Sequence, residues 1–177
     1  MTDESHPTRL TAALLMATAA LSVIGMAHHP TGHGHGATLL ESLAAIGPTA
    51  GLVHGALLAV MLAQLIGQAG LAGRLGWPRL VVQGAFLAQA AGALALTGAA
   101  VVNGFTLSPL AQSMVAAGYT QPDQFRPLLW ALFAQAQAWA QIGTAAWALA
   151  LALWGLAVWP RHRPLAWGAL LLLVVPL

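Results

Sequence analysis

Long apolar segments alternate with short polar connections along this chain, and their lengths predict membrane-spanning helices. A helix needs about 20 consecutive apolar residues to cross the hydrocarbon core of a bilayer. Four segments are long enough, and they cover residues 10–27, 48–69, 80–105 and 127–159. A fifth, residues 164–177, would extend only about 21 Å as a helix, less than the core thickness of about 30 Å. The pattern predicts an all-α membrane protein, a polytopic transmembrane helical bundle with four full spans and an incomplete fifth.

The composition agrees with this prediction and excludes several classes of protein. Hydrophobic residues make up 59% of the 177 residues and charged residues 6%, whereas soluble domains carry about 25% charged residues. The lipid bilayer is therefore the expected environment of the chain, which we expect to form one transmembrane helical domain over residues 1–177. The net charge of +2 predicts no nucleic-acid partner. The absence of cysteine excludes disulfides and thiolate metal sites.

Both ends of the chain have alternative interpretations. We expect the short fifth segment to be the beginning of a span that continues in a longer protein, and a segment that enters the membrane without crossing it is the alternative. The first apolar segment also resembles a secretory signal that is cleaved before His28. Asp3 and Glu4 argue against a signal, because a basic region precedes the apolar part of such signals.

The positions of the arginines predict the orientation of the bundle. Basic residues are enriched in the cytoplasmic connections of membrane proteins. The N-terminal segment and the connections after the second and fourth spans carry Arg9, Arg74, Arg79, Arg161 and Arg163. The connection at residues 27–38 has no arginine, and the connection at residues 106–126 has only Arg126. We therefore expect a cytoplasmic N-terminus and a histidine-rich first connection on the opposite side of the membrane.

Small residues recur at every fourth position on two of the predicted spans, which predicts how these helices meet. In lipid, helices approach closely where glycine and alanine form a ridge. The ridge on the second span consists of Gly51, Gly55, Ala59, Ala63 and Gly67, and that on the third span of Gly84, Ala88 and Gly92. We expect the second and third spans to pack through these two ridges.

Two short helices are predicted in the connections. Thr38 and Glu41 have the spacing of a capping box, so a helix is expected to begin there and to continue to Pro48. Ser108 followed by a proline is typical of a helix N-terminus, and Gly118 is typical of its end. A separate short helix on the outer surface is therefore expected over residues 108–118.

The histidine-rich stretch "HHPTGHGHG" contains the strongest candidates for metal binding. Neutral imidazole binds zinc, copper and nickel, and glycines allow a short segment to wrap around an ion. The four histidines are His28, His29, His33 and His35. Their spacing matches no familiar metal site, so a solvated bend is the alternative. The cofactor that this stretch predicts is a divalent or copper ion.

His54 is the ionisable residue that lies well inside a predicted span. Ionisable side chains within the membrane are costly and tend to mark function, although a neutral imidazole that hydrogen-bonds a neighbouring helix is the simpler interpretation. Asn103, Gln135 and Gln137 are its expected polar partners. No second intramembrane histidine is expected beside His54, so a haem iron would need a second ligand from a neighbouring helix. Met16 and Met26 are the candidates for that ligand.

The chain resembles a broad group of small multi-pass bacterial inner-membrane proteins in several features. They are His54 near the start of the second span, the turn "GLAGRLG" that ends it, and the closing "NGF" of the third span. The resemblance covers about residues 45–160 and implies a helical fold in a bacterial inner membrane, without an activity.

The sequence favours a non-enzymatic role, because it contains no set of residues typical of a catalytic site. The leading interpretation is a structural or accessory protein with a membrane-protein partner or a second copy of itself. The first alternative is a protein that binds or transports Cu, Zn or Ni ions, with the histidine-rich loop as collector and His54 as first acceptor. The second alternative is a haem-binding redox subunit.

Overall fold

The computed structural model describes residues 5–29, 39–119 and 125–171, and these residues form helices and turns without any strand. The α-helices are α1 (Ser5–Ala27), α2 (Leu39–Ala45), α3 (Gly47–Leu75), α4 (Leu80–Ala100), α5 (Ser108–Ala116), α6 (Arg126–Val158) and α7 (Arg163–Leu171). A π-helix, Val101–Leu107, connects α4 to α5. The predicted all-α bundle is therefore confirmed.

Four helical segments of the described chain are long and apolar enough to cross a membrane. They are Arg9–Ala27, Gly47–Leu75, Leu80–Ala116 and Arg126–Val158, and they correspond to the four predicted spans. The protein is thus a multi-pass membrane protein with lipid around its apolar helices. Helix α7 covers the first part of the predicted fifth segment, and residues 172–177 lie outside the described residues.

The chain divides into two compact units, and each long helix contributes to both. The arginine unit comprises residues 1–20, 61–95 and 142–177. The histidine unit comprises residues 21–60 and 96–141.

In the arginine unit, α4 packs closely against α6. A Cβ atom added at Gly92 would lie 2.9 Å from the carbonyl oxygen of Gly143 and would overlap the ring of Trp147. The indole Nε1–H of Trp147 donates a hydrogen bond to the carbonyl oxygen of Gln89 at 3.2 Å. The absence of a side chain at Gly92 is therefore what allows this ring to lie across α4.

These contacts show that the two small-residue ridges do not pack against each other as predicted. The ridge on α3 does face the third predicted span, because Cβ atoms added at Gly51 and Gly55 would lie 3.6 Å from Gly104 and Phe105, respectively. The ridge on α4 faces another helix. Gly84 and Gly92 of α4 face α6, where their nearest neighbours are Leu153 and Trp147. Gly67 of α3 faces α1 and lies against Leu15. Close approach is confirmed at Gly67 and Gly92, but the spacing of small residues within one helix cannot tell which neighbouring helix lies against them.

The connection between α3 and α4 is held by an arginine. Gly76, with φ of +96°, follows the last residue of α3 in a conformation that favours glycine. The Arg79 guanidinium donates to the carbonyl oxygen of Leu75 at 3.1 Å and to that of Ala157 in α6 at 3.3 Å. These carbonyls lie in the last turns of their helices, where no intrahelical donor is available to them.

In the histidine unit, α2 and α5 pack against each other over a small apolar core. Its buried residues are Leu40, Leu43, Val102, Leu107, Ala111, Met114, Leu129 and Ala136. The amide Nε2 of Gln112 in α5 donates to the carbonyl oxygen of Ala44 at 3.0 Å. The expected start of α2 near Thr38 agrees with its first residue, Leu39, although Thr38 itself lies outside the described residues.

Helix α5 differs from the prediction in how it begins. Ser108 does not cap a separate helix, because the chain continues from α4 through the π-helix into α5 without interruption. The predicted end is confirmed. Gly118 has φ of +74°, its N–H donates to the carbonyl oxygen of Val115, and the N–H of Tyr119 donates to that of Met114. These two bonds form a Schellman motif, which satisfies carbonyls at the helix end.

Candidate metal site in the histidine unit

His54 is buried in the histidine unit, and one of its ring nitrogens is fixed by its own helix. The side chain is only 5% exposed. Its Nδ1 lies 2.7 Å from the carbonyl oxygen of Ala50, one turn earlier in α3. A carbonyl oxygen can only accept a hydrogen bond, so Nδ1 carries the proton. In the neutral ring the other nitrogen, Nε2, therefore presents a lone pair.

The structure brings a second histidine to this lone pair. The Nε2 atoms of His29 and His54 are 3.2 Å apart. Their rings meet edge to face, with centroids 4.9 Å apart and planes inclined by 76°. The expectation that His54 has no histidine beside it is wrong, because His29 follows the end of α1 and is only partly exposed.

A close approach of α1 and α3 explains why these two histidines meet. Gly25 lies four residues before His29, and a Cβ added there would be 2.7 Å from the side chain of Leu57. Leu57 lies three residues after His54 in α3. Residues of α1 after the contact at Gly25 therefore meet residues of α3 before the contact at Leu57. This pairing places His29 opposite His54, one turn away from the glycine contact.

The separation of 3.2 Å is compatible with two chemical states. In the first, neutral His29 donates its Nε2 proton to the lone pair of His54. In the second, the proton of His29 resides on Nδ1, and both Nε2 lone pairs face the same point. Two nitrogens that bind one tetrahedral Zn²⁺ at about 2.0–2.1 Å are about 3.3 Å apart. The pair therefore already has the spacing of one edge of a tetrahedral metal site.

A cavity of about 310 Å³ adjoins the pair. Its polar lining comes from His29, His54, Asn103, Ser108 and Gln137. The rest of the lining is apolar and includes Leu39, Leu43, Ile46, Leu107 and Phe133. Asn103 and Gln137 thus line one cavity with His54, whereas Gln135 is exposed and is not among the lining residues. The expectation that Gln135 is a partner of His54 is not met.

The π-helix also brings backbone against His54. An added Cβ at Gly104 would lie 2.5 Å from Cβ and 2.7 Å from Cγ of His54. Thr106 donates its hydroxyl to the carbonyl oxygen of Val101 at 3.2 Å, within the same π-helix. Asn103 is among the predicted residues and Gly104 is not, although the adjacent "NG" pair in an apolar helix is a signal of irregular backbone.

The remaining predicted ligands are not at this site. His28 is exposed, and its Nδ1 lies 2.9 Å from the carbonyl oxygen of Ile24. His33 and His35 lie outside the described residues. Met16 and Met26, proposed as haem ligands, are 70% and 62% exposed, so their side chains point away from the core.

The part of the chain that the structure describes holds no group of three or more histidine or acidic side chains placed to bind one ion. The two nitrogens of His29 and His54 would therefore supply part of a coordination sphere, and oxygen ligands or an external molecule would complete it. No protein-family model, curated protein or solved structure matches this chain. The chemistry of the site thus rests on the geometry of its own residues.

Proposed function

We propose that this membrane protein binds a transition-metal ion between His29 and His54. The observation that carries the proposal is the 3.2 Å separation of the two Nε2 atoms. Imidazole nitrogen suits zinc, copper and nickel, so the ion belongs to this group. Because two protein nitrogens leave coordination positions open, the site is suited to exchange or delivery of the ion rather than to permanent structural binding.

The environment of His54 supports metal binding over a chance contact. Metal-ligating histidines almost always donate their second ring N–H to a carbonyl or carboxylate, which fixes the tautomer and orients the lone pair. The bond from Nδ1 to Ala50 provides this arrangement. Asn103 and Gln137, which line the same cavity, offer amide oxygens to the ion or to a water bound to it.

The site is expected on the outer side of a bacterial inner membrane. The arginine pattern places the N-terminus in the cytoplasm. At 1.5 Å per residue, the chain from Arg9 to His29 and the chain from His54 to Leu75 each extend about 30 Å, the thickness of the hydrocarbon core. Both histidines then lie near the outer surface of the membrane, where they are accessible to an ion from outside the cytoplasm. His33 and His35 follow His29 in the sequence. In this proposal they collect the ion, as in the interpretation of the chain as a metal-binding or transport protein.

The geometry supports the other two interpretations less well. Haem iron would need two axial ligands on opposite faces of a macrocycle, and rings whose Nε2 atoms are 3.2 Å apart leave no room for it. An accessory role rests on a partner for α6, where Gln135 and Gln141 are exposed and lie outside the cavity lining. Amides in membranes associate helices by about 1 kcal/mol each, so a second copy or another membrane protein can bind there while the histidines bind metal.

Equilibrium dialysis of untagged protein against Zn²⁺ or Cu²⁺ tests the proposal, because a polyhistidine tag would itself bind the ion. We expect about one ion per chain at the pair. Replacing even an outer-shell partner of a metal ligand costs about 10–100-fold in affinity, so His54→Ala and His29→Ala should each lose at least about 100-fold. The matched control is His28→Ala, one residue away on the exposed side. Equal metal retention by wild type and His54→Ala would overturn the proposal.

A further inference from the structure

We propose that Gly104 is the positioning residue of this site, and that the π-helix exists to bring its backbone against His54. This inference rests on the proposed metal-binding function and names the part of the fold that prepares it. Gly104 binds no ion itself. Its backbone lies against His54 and restricts the imidazole ring to a single orientation.

The distances place the Gly104 backbone at the base of the ring. A Cβ at Gly104 would lie 2.5 Å from Cβ, 2.7 Å from Cγ and 3.1 Å from Nδ1 of His54. The first two distances are too short for non-bonded carbon atoms, and Cβ of His54 is fixed to its backbone and cannot rotate away. An alanine at position 104 would therefore push α3 and the π-helix apart or rotate the imidazole. Rotation would weaken the bond from Nδ1 to Ala50, which is 2.7 Å in the native site. Separation of the two helices would leave that bond in place but would remove the backbone contact that restricts the ring.

Backbone irregularity explains how a helix can present this glycine. A π-helix contains an extra residue per turn and is frequent at functional sites. The segment Val101–Leu107 is π-helical over seven residues, with Asn103 and Gly104 at its centre. Gly104, which contacts the base of the His54 ring, and Asn103, which lines the cavity beside that ring, thus lie in the same turn.

The neighbouring glycines show that this role is specific to one position. A Cβ at Gly51 would lie 3.6 Å from the carbonyl oxygen of Gly104, and one at Gly55 would lie 3.6 Å from Cζ of Phe105. Both are ordinary van der Waals distances. Gly55→Ala is therefore a matched control: it is adjacent to His54 and on the same helix, and it leaves the ring free of new contacts.

The test combines metal titration with a measurement that needs no metal. Co²⁺ serves as the spectroscopic probe, and its absorption reports ligand geometry. We expect Gly104→Ala to bind Co²⁺ about 10–100-fold more weakly with a changed spectrum, the range for lost support of a metal ligand. Gly55→Ala should match wild type. Nitrogen-15 NMR of metal-free protein should show His54 protonated at Nδ1 in wild type and a mixture of tautomers in Gly104→Ala.

The outcomes separate this inference from the function on which it rests. If wild type binds no Co²⁺, the proposed function fails, and the tautomer still tests whether Gly104 orients the ring. If wild type binds and Gly104→Ala gives the same affinity, spectrum and tautomer, the positioning role is overturned. Should Gly104→Ala not fold, the wild-type spectrum decides, because an Nε2-protonated or exchanging His54 contradicts a ring held in one orientation.

Discussion

Replacing Gly92 with alanine should destabilise the arginine unit markedly, because the new Cβ enters space that α6 occupies. It would lie 2.8 Å from Nε1 of Trp147 and 2.9 Å from the carbonyl oxygen of Gly143. The carbonyl is backbone and cannot move alone, so the helices must separate or the indole must rotate. Overpacking of this kind costs about 1–3 kcal/mol. Loss of the hydrogen bond from Trp147 to Gln89 adds about 1 kcal/mol.

The expected loss is therefore about 2–4 kcal/mol, and for a chain of this length it lowers Tm by on the order of 10 °C. Thermal unfolding of purified protein in detergent, followed by circular dichroism, measures it. Gly84→Ala is the matched control on the same face of α4, since its Cβ would meet only the end of the Leu153 side chain at 3.5 Å. Equal Tm values for the two variants would refute the close packing of α4 on α6.

Two further predictions concern the connection at the arginine end and the orientation of the chain. Arg79→Ala should lower the stability by about 1–2 kcal/mol, because two helix-terminal carbonyls lose a charged donor, whereas the exposed Arg161→Ala should unfold as wild type does in the same detergent assay. A reporter enzyme that is active only outside the cytoplasm should give signal when fused after Ala116 and none when fused after Gly73, and activity of the Gly73 fusion would reverse the proposed orientation.

The helices could be predicted from the sequence because each span depends on a local property, the length of an apolar segment. The predicted fourth span, residues 127–159, differs by one residue at each end from Arg126–Val158. Helix α3 runs to Leu75, six residues beyond the predicted end, since the polar end of a helix can continue past the hydrocarbon core. Which neighbouring helix each face contacts could not be predicted in the same way. The ridge on α4 is real, but its partner is α6, because the indole of Trp147 fits over Gly92.

The candidate site was predicted in its components but not in its assembly. His29 and His54 were both identified, yet one was assigned to a loop and the other to an isolated position in a span. Their contact depends on the crossing of α1 and α3 at Gly25, 29 residues before His54 in sequence. A hydrophobic pattern of period 3.6 does not indicate a π-helix either, so the position of Gly104 against the imidazole could not be predicted.

X-ray absorption at the zinc K-edge of untagged, Zn²⁺-loaded protein tests the central claim most directly, because it counts the imidazoles that bind the ion. Wild type should show two histidine nitrogens at about 2.0–2.1 Å. His28→Ala should give the same spectrum, and His54→Ala, under conditions where it still retains zinc, should show one histidine fewer. A spectrum that stays the same in the double variant His29→Ala/His54→Ala would contradict a metal site formed by this pair.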